Sequence, residues 1–258
     1  SYRAKSERLE RLAGWLADEV FDTPASAASA RQAGRLAKVD LATDMVRELT
    51  ELQGTMGGIY AREEGLPEDV WKAIYFHYLP LGVEDDAPPS RADLKSGATV
   101  WAAVSVADKL DTVVGLFAAG ERPTGTRDPF CLRRQAQGLL RTLVDLPELV
   151  GVDRPLPMAR MLAEARAWVG PVPYAETEPD VWMKAATTFL LDRLRYLFEQ
   201  RGFAYDELNA VLGGQTSVPD PLDTRRRLEA LRSVRGSADF EALAVAFKRV
   251  KNLSRELK

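Results

Sequence analysis

The sequence predicts an all-α fold, and three observations support this prediction. Apolar residues recur every three or four positions through most of the 258 residues, which is the spacing of one buried helix face. No stretch alternates apolar and polar residues for long enough to predict a strand. Glycine and proline collect between the periodic segments, where they end helices. At 46% hydrophobic and 28% charged residues, the composition is typical of a chain that buries a substantial core.

The first 119 residues contain four predicted helices. The first has its apolar stripe at Leu9, Leu12, Leu16 and Val20. The second is one continuous periodic segment that ends at three closely spaced glycines. The third begins at a proline, a favoured first-turn residue, and stops before the next proline. The predicted ranges are 1–20, 29–52, 67–79 and 98–119.

The second half of the sequence predicts shorter helices and a domain boundary. Asp128 and Pro129 resemble an N-cap and first-turn pair that opens a helix reaching about residue 146. A proline-containing segment at 149–156 suggests a boundary, and this divides the chain into domains 1–150 and 151–258. The further predicted helices cover 158–168, 180–200, 205–212, 221–233 and 238–253.

Charge and cysteine content limit the possible functions. Segment 98–119 is long enough to span a bilayer, but the charges of Asp108, Lys109 and Asp111 at its middle predict a buried helix and no membrane partner. The net charge of −3 excludes a global basic field, so any contact with nucleic acid must come from local clusters. The lone Cys131 excludes an internal disulfide and is expected to be a buried or half-buried thiol. The charged, helical start without Met suggests a piece of a longer cytoplasmic chain.

Carboxylates and the single histidine form one group of candidate site residues. Asp40 and Asp44 lie four positions apart and are predicted to share a helix face, while His77 is predicted to point inward. Asp108 and Asp111 lie on the most apolar helix, where burial is costly without a partner or metal. One interpretation is a divalent-metal site for phosphoester hydrolysis. The favoured interpretation is that the carboxylates cap helices or pair with basic residues and that His77 is a core residue.

Basic residues form the second group of candidates. In the helix after Asp128 they lie opposite the apolar stripe, and two further clusters lie near the end of the chain. Guanidinium groups suit phosphate oxygens, but such clusters are also typical of a solvated helix face. The candidates are Arg127, Arg133, Arg134, Arg141, Arg225, Arg226, Arg227, Lys248, Arg249 and Lys251.

Several longer motifs resemble a known family. They are KVDLATDMVRELTELQGTMGG at 38–58, HYLP at 77–80, ADKLDT at 107–112, GERPTGTRDPFCLRR at 120–134 and YDELNAVL at 205–212. Together they resemble the β subunit of the bacterial heterotetrameric glycyl-tRNA synthetase, over essentially the whole chain. The resemblance implies that a β subunit extends beyond both ends of this sequence. It also implies an HD-like helical domain, then connecting helices, then the first part of an anticodon-binding-type helical bundle.

The resemblance also implies partners and a division of labour. The α subunit would catalyse glycine attachment with ATP and Mg²⁺ in an α₂β₂ assembly. This part of the β subunit would bind tRNA(Gly), with no catalytic residue and no cofactor of its own. Compared with HD-type hydrolases, Asp40 matches the aspartate of the His-Asp doublet, whose histidine is replaced by Val39. Asp108 matches the late aspartate, and His77 is the one histidine in the chain. These three degenerate positions predict no catalytic metal, and a residual metal-dependent phosphohydrolase is the alternative.

Overall fold

The structure, a computed structural model, describes residues 1–81, 88–170 and 179–256. Its described part is all-α, as predicted; only an isolated bridge between Thr124 and Arg127 has β pairing there. In the first half the α-helices are α1 (Tyr2–Trp15), α2 (Ala27–Leu36), α3 (Asp44–Glu48), α4 (Thr55–Glu63), α5 (Glu68–Phe76), α6 (Arg91–Leu94) and α7 (Ala98–Ala118). A π-helical turn and four 3₁₀ turns accompany them, at Leu16–Val20, Pro24–Ser26, Val39–Ala42, Thr50–Leu52 and Lys95–Gly97.

The second half continues the helical pattern. Its helices are α8 (Leu132–Val144), α9 (Leu146–Val150), α10 (Met158–Val169), α11 (Pro179–Gln200), α12 (Tyr205–Leu212), α13 (Pro221–Val234) and α14 (Ala238–Glu256). The predicted helices from 158 onward agree with α10 to α14 within a few residues at each end. Among the described residues, no helix is both long and apolar enough to cross a membrane.

Helix α7 is the centre of the fold. It packs against α1, α2, α5, α8, α10 and α11. Trp101, Leu110 and Phe117 are among its fully buried side chains, and burial of such residues is the main source of stability. The buried apolar cluster extends without interruption from Leu9 to Leu228. The domain boundary near 149–156 therefore lies within a continuous core, and the division into two domains stays a prediction.

The prediction of one helix across 29–52 is wrong. Helix α2 ends at Leu36, a 3₁₀ turn covers Val39–Ala42, and α3 begins after Thr43. Thr43 is extended, with φ −86° and ψ 149°, and its side chain accepts a hydrogen bond from the N–H of Val46. This N-cap starts a new helix. As a result Asp40 is buried and Asp44 is exposed, so the two carboxylates do not share a helix face.

Three other details of the helices differ from prediction. Helix α8 begins at Leu132 because Cys131 adopts a left-handed backbone conformation with φ 52°, and Cys131 is exposed rather than buried. The apolar spacing of α8 predicts Gln137 on its solvent face, but this side chain is buried and donates a hydrogen bond to the carbonyl of Arg193. The apolar spacing of α11 predicts that Val181 begins its buried face, but Val181 is exposed and Trp182 is buried instead.

Candidate functional site

A cluster of charged side chains lies inside the helical bundle. Its members come from α1, from the segment after α2, from the end of α5 and from the middle of α7. Charged groups in a protein interior require partners, since an isolated buried charge is strongly unfavourable. The charge cluster, as we call it, consists of Lys5, Arg8, Lys38, His77, Asp108, Lys109 and Asp111.

Lys38 lies at the middle of the charge cluster. Its Nζ donates to Asp108 Oδ2 at 2.7 Å and to His77 Nε2 at 2.8 Å, and it lies 3.8 Å from the ring centre of Tyr78. His77 Nδ1 is 2.6 Å from the carbonyl oxygen of Ile74. A carbonyl only accepts, so Nδ1 carries the proton and Nε2 is left to accept from Lys38. This geometry assigns a neutral His77 beside a charged Lys38–Asp108 pair.

The pKa shifts agree with this assignment. Burial, followed by the charge of Lys38, places the pKa of His77 well below its ordinary value. Burial lowers the pKa of Lys38 to about 8, although Asp108 opposes the shift. Burial alone would raise the pKa of Asp108, but Lys38 and Lys5 hold it well below its usual range. At neutral pH the lysine and the aspartate are therefore both ionised.

Helix α1 supplies two further cations to the same carboxylates. Lys5 Nζ lies 3.0 Å from Asp108 Oδ1 and 3.1 Å from Asp111 Oδ2. Arg8 donates to both oxygens of Asp111, with Nε 2.5 Å from Oδ1 and Nη2 3.0 Å from Oδ2. The two aspartates of α7 are thus held by side chains from other elements. This confirms the expectation that the buried carboxylates find partners, and these partners connect α1 to α7.

Lys109 is bound mainly by carbonyl and hydroxyl oxygens. Its Nζ donates to the carbonyls of His77 and Leu79, at 3.0 and 3.3 Å, and to Ser105 Oγ at 2.8 Å. Burial lowers the pKa of Lys109 to about 7. The side chain therefore holds the segment after α5 against α7 through neutral acceptors.

Asp40, His77 and Asp108, the positions that the sequence analysis compares with HD-type hydrolases, do not converge on one point. His77 Nε2 and Asp108 Oδ2 are 4.0 Å apart, and the Lys38 ammonium bonds to both of them. Asp40 Oδ2 instead accepts from the backbone N–H groups of Gly54 and Gly57, at 2.6 and 3.1 Å. Within the described part of the chain no group of three histidine, cysteine or acidic side chains could hold a metal ion. A divalent cation does not fit between His77 and Asp108, since Lys38 already supplies the positive charge there.

The lysines of this cluster are not among the candidate site residues predicted from the sequence. Lys38 directly precedes the motif around Asp40, and Lys109 directly follows Asp108 on the most apolar helix. A charge on an apolar helix face needs a partner, and this holds for Lys109 as much as for the buried aspartates. Lys38 gave a weaker signal, because the break in the helix that directs it inward was not predicted.

The candidate arginines before and within α8 lie around a closed loop. The backbones of Thr124 and Arg127 bond to each other at 2.8 and 2.9 Å. Asp128 accepts from the N–H groups of Leu132 and Arg133 at 2.8 and 3.0 Å, so it caps α8 from outside the helix. Arg133 Nη2 donates to the carbonyl of Gly125 at 2.7 Å. Among described residues the exposed side chains of Arg127 and Arg134 form no hydrogen bond or ion pair with the protein.

The other candidate basic residues have different surroundings. Arg225 bonds to Glu148 and Glu229 and so joins α13 to α9. Arg226 pairs with Asp153, and Arg227 pairs with Asp223 at 2.7 Å. Arg141 on α8 is half-buried, and burial lowers its pKa. On α14 Arg249 is exposed, while the side chains of Lys248 and Lys251 lie outside what the structure describes.

Comparison with known proteins identifies relatives. Residues 1–213 match the family described as glycyl-tRNA synthetase beta subunit. The glycine–tRNA ligase beta subunit of Ralstonia nicotianae is 41% identical over 246 residues, covering 95% of this chain and 32% of the relative. That of Aromatoleum aromaticum is 42% identical over 247 residues, covering 96% and 32%, and that of Acidobacterium capsulatum is 39% identical over 259 residues, covering 99% and 34%. The chain spans about a third of the length of these relatives.

The fold and the charge cluster define an all-α protein with a buried ion-pair network, in which Lys38 bonds to both His77 and Asp108 and links them. The family match covers most of the sequence and includes the motifs that build the cluster. The chain belongs to the glycyl-tRNA synthetase β-subunit family.

Proposed function

We propose that this chain is the tRNA-binding portion of a glycine–tRNA ligase β subunit. It binds tRNA(Gly) and supports glycine attachment, which the α subunit catalyses with ATP and Mg²⁺ in a cytoplasmic α₂β₂ assembly. The proposal is supported by relatives that are named as beta subunits of this ligase and are about 40% identical. This chain contributes binding groups and no catalytic residue.

The observation that carries the tRNA-binding role is the exposure of Arg127, on a closed loop, and of Arg134, in the first turn of α8 that follows this loop. The hydrogen bonds of Asp128 and Arg133 fix the backbone of this loop, so little backbone conformational entropy is lost when the neighbouring arginines bind a ligand. Phosphate contacts by arginine release counterions, and they position an RNA without reading its sequence. We therefore rank Arg127 and Arg134 first among the candidate contacts, followed by Arg133 and Arg141.

The remaining candidates would bind phosphate at a greater cost. Arg225, Arg226 and Arg227 each pair with a carboxylate of the protein, and a phosphate contact would have to replace that pair. Lys248, Arg249 and Lys251 stay as weaker candidates on α14.

We also propose that residues 1–150 form an HD-like domain that has lost its metal and that residues 151–258 connect it to anticodon-binding-type helices. This is supported by His77 and Asp108, which face each other, and by Lys38, which lies between them. The alternative of a residual phosphohydrolase would require a metal ion where the lysine is, and no contact in the described residues favours it.

The test uses the complete β subunit with its α subunit. Replacing both Arg127 and Arg134 by alanine removes two phosphate contacts, so the slope of log K against log salt for tRNA(Gly) should become shallower by about 1.4 to 1.8. The KM for tRNA should rise in aminoacylation, while kcat stays the same. The matched control replaces Arg47 and Arg62, exposed arginines of α3 and α4, and it should leave the slope unchanged. If the salt slope changed equally in both variants, or in neither, the proposed contact of Arg127 and Arg134 with phosphate would be refuted.

A further inference from the structure

An aromatic side chain is exposed beside the arginines of the loop at 120–131. Phe130 is 46% exposed and lies between Arg127 and the first turn of α8, which carries Arg133 and Arg134. A single exposed apolar residue is common on protein surfaces and needs no explanation by itself. Phe130 differs because its neighbours are exposed guanidinium groups on a fixed backbone.

The backbone on both sides of Phe130 is held in place. Before it, Thr124 and Arg127 bond to each other. After it, the N–H of Cys131 bonds to the carbonyl of Asp128 at 3.1 Å, and the carboxylate of Asp128 caps α8. Loop positions with this many internal bonds lose little freedom on binding. The exposure of Phe130 therefore belongs to a defined loop conformation.

We propose that the loop is a nucleobase-stacking site, in which the Phe130 ring stacks on an unpaired base while Arg127 and Arg134 bind the adjacent phosphates. This inference rests on the proposed function and extends it from phosphate contact to base contact. Aromatic rings next to basic groups are the usual composition of sites for single-stranded nucleic acid, and stacking tolerates any base because every base has a π face.

The spacing of the three side chains suits one nucleotide and its neighbours. Arg127 is three residues before Phe130 and Arg134 is four after it, so their Cα atoms lie within about 11 and 15 Å of that of Phe130. An arginine side chain on either side can therefore reach the backbone of a nucleotide whose base lies on the ring.

Charge favours RNA over a protein partner at this loop. Segment 120–134 contains four arginines against two acidic residues, and one of these acids, Asp128, is engaged as the cap of α8. A protein partner that used Phe130 as an apolar anchor would have to bury these guanidinium groups or pair them with acids.

The experiment compares Phe130→Leu with Phe130→Tyr in the complete β subunit with its α subunit. Probes are tRNA(Gly), a short single-stranded RNA and a blunt RNA duplex, measured by filter binding. Phe130→Leu should weaken binding of the tRNA and the single strand about 5- to 150-fold and leave the duplex unchanged, and Phe130→Tyr should keep the affinity. The salt slope should not change, because no charge is removed.

The outcomes separate this inference from the function on which it rests. If the arginine variant changes the salt slope but Phe130→Leu binds the tRNA and the single strand like the wild type, the stacking site is refuted and phosphate docking stands. Equal weakening of duplex and single strand also refutes stacking. Loss of association with the α subunit at unchanged tRNA affinity would assign Phe130 to a protein interface instead. If neither the arginine variant nor Phe130→Leu affects tRNA binding, the phosphate contact proposed for Arg127 and Arg134 fails together with the stacking site.

Discussion

Replacing Lys38 by methionine tests whether the charge cluster is a structural ion-pair network. Lys38 is 4% exposed, and methionine nearly matches its volume while removing its charge. The variant leaves Asp108 Oδ2 and His77 Nε2 without the donor that lies 2.7 and 2.8 Å away. Removal of one partner of a buried ion pair costs about 3–5 kcal/mol, because the other charge stays buried.

The structure places the expected cost at the lower end of that range. Lys5 Nζ still lies 3.0 Å from the other oxygen of Asp108, so the carboxylate keeps one cation. We expect Lys38→Met to lower the free energy of unfolding by about 3 kcal/mol, which corresponds to a melting temperature about 6–12 °C lower. The double variant Lys38→Met with Asp108→Asn should lower the free energy of unfolding by less than the sum of the two single variants, because both partners of the same ion pair are removed.

The assay is thermal and urea unfolding, followed by tryptophan fluorescence. The matched control is Lys95→Met, because the Lys95 side chain is 65% exposed and pairs with Glu68 on the surface, where a pair contributes at most about 1 kcal/mol. If Lys38→Met were no more destabilising than Lys95→Met, the buried pair would not hold the fold together, and our account of the cluster would be wrong.

Two further predictions concern His77 of the charge cluster and Gly138, which packs against Lys109 of that cluster. By ¹⁵N NMR, the imidazole of His77 should show the tautomer with a protonated Nδ1 and should stay neutral well below pH 6.5. Because His77 is protonated in the unfolded state at a higher pH than in the folded state, the free energy of unfolding should decline as pH falls from about 6.5. A charged His77 at pH 6 would contradict this. Gly138→Ala should destabilise the protein by about 1–3 kcal/mol, since the added carbon would overlap the carbonyl oxygen of Pro80 and lie 2.6 Å from Lys109 Cε. Gly115→Ala, with its nearest atom 3.8 Å away, is the control in the same unfolding assay, and equal effects would refute the close packing.

The sequence predicted the helices well because each depends on local periodicity and on nearby prolines or caps. It also predicted that His77, Asp108 and Asp111 are buried, since they lie on apolar stripes. It did not identify what they contact. Periodicity tells which face of a helix is buried but not which residues of another helix lie opposite, and Lys5 is more than a hundred positions from Asp108.

The errors have physical causes that a single sequence does not show. The helix expected through 29–52 breaks because Thr43 is extended and caps a new helix, and the apolar spacing continues across the break. Val181 is exposed because it lies in the first turn of α11, where the neighbouring Trp182 packs inward instead. Cys131 is exposed and adopts a left-handed backbone conformation just before α8, which helical periodicity does not reveal.

The charge cluster and the arginine-bearing loop are connected through α7 and α8. Lys109, a member of the cluster, approaches Gly138 closely enough that the glycine cannot carry a Cβ, so the charged core sets how near α8 lies to α7. The loop at 120–131 joins these two helices, and its geometry therefore depends on their spacing. Lys38, bonded to both His77 and Asp108, holds the end of α5 against α7 with a cation of the chain itself. Under the tRNA-binding role proposed above, the spacing of Arg127, Phe130 and Arg134 would therefore depend on how α8 packs against α7 at Lys109.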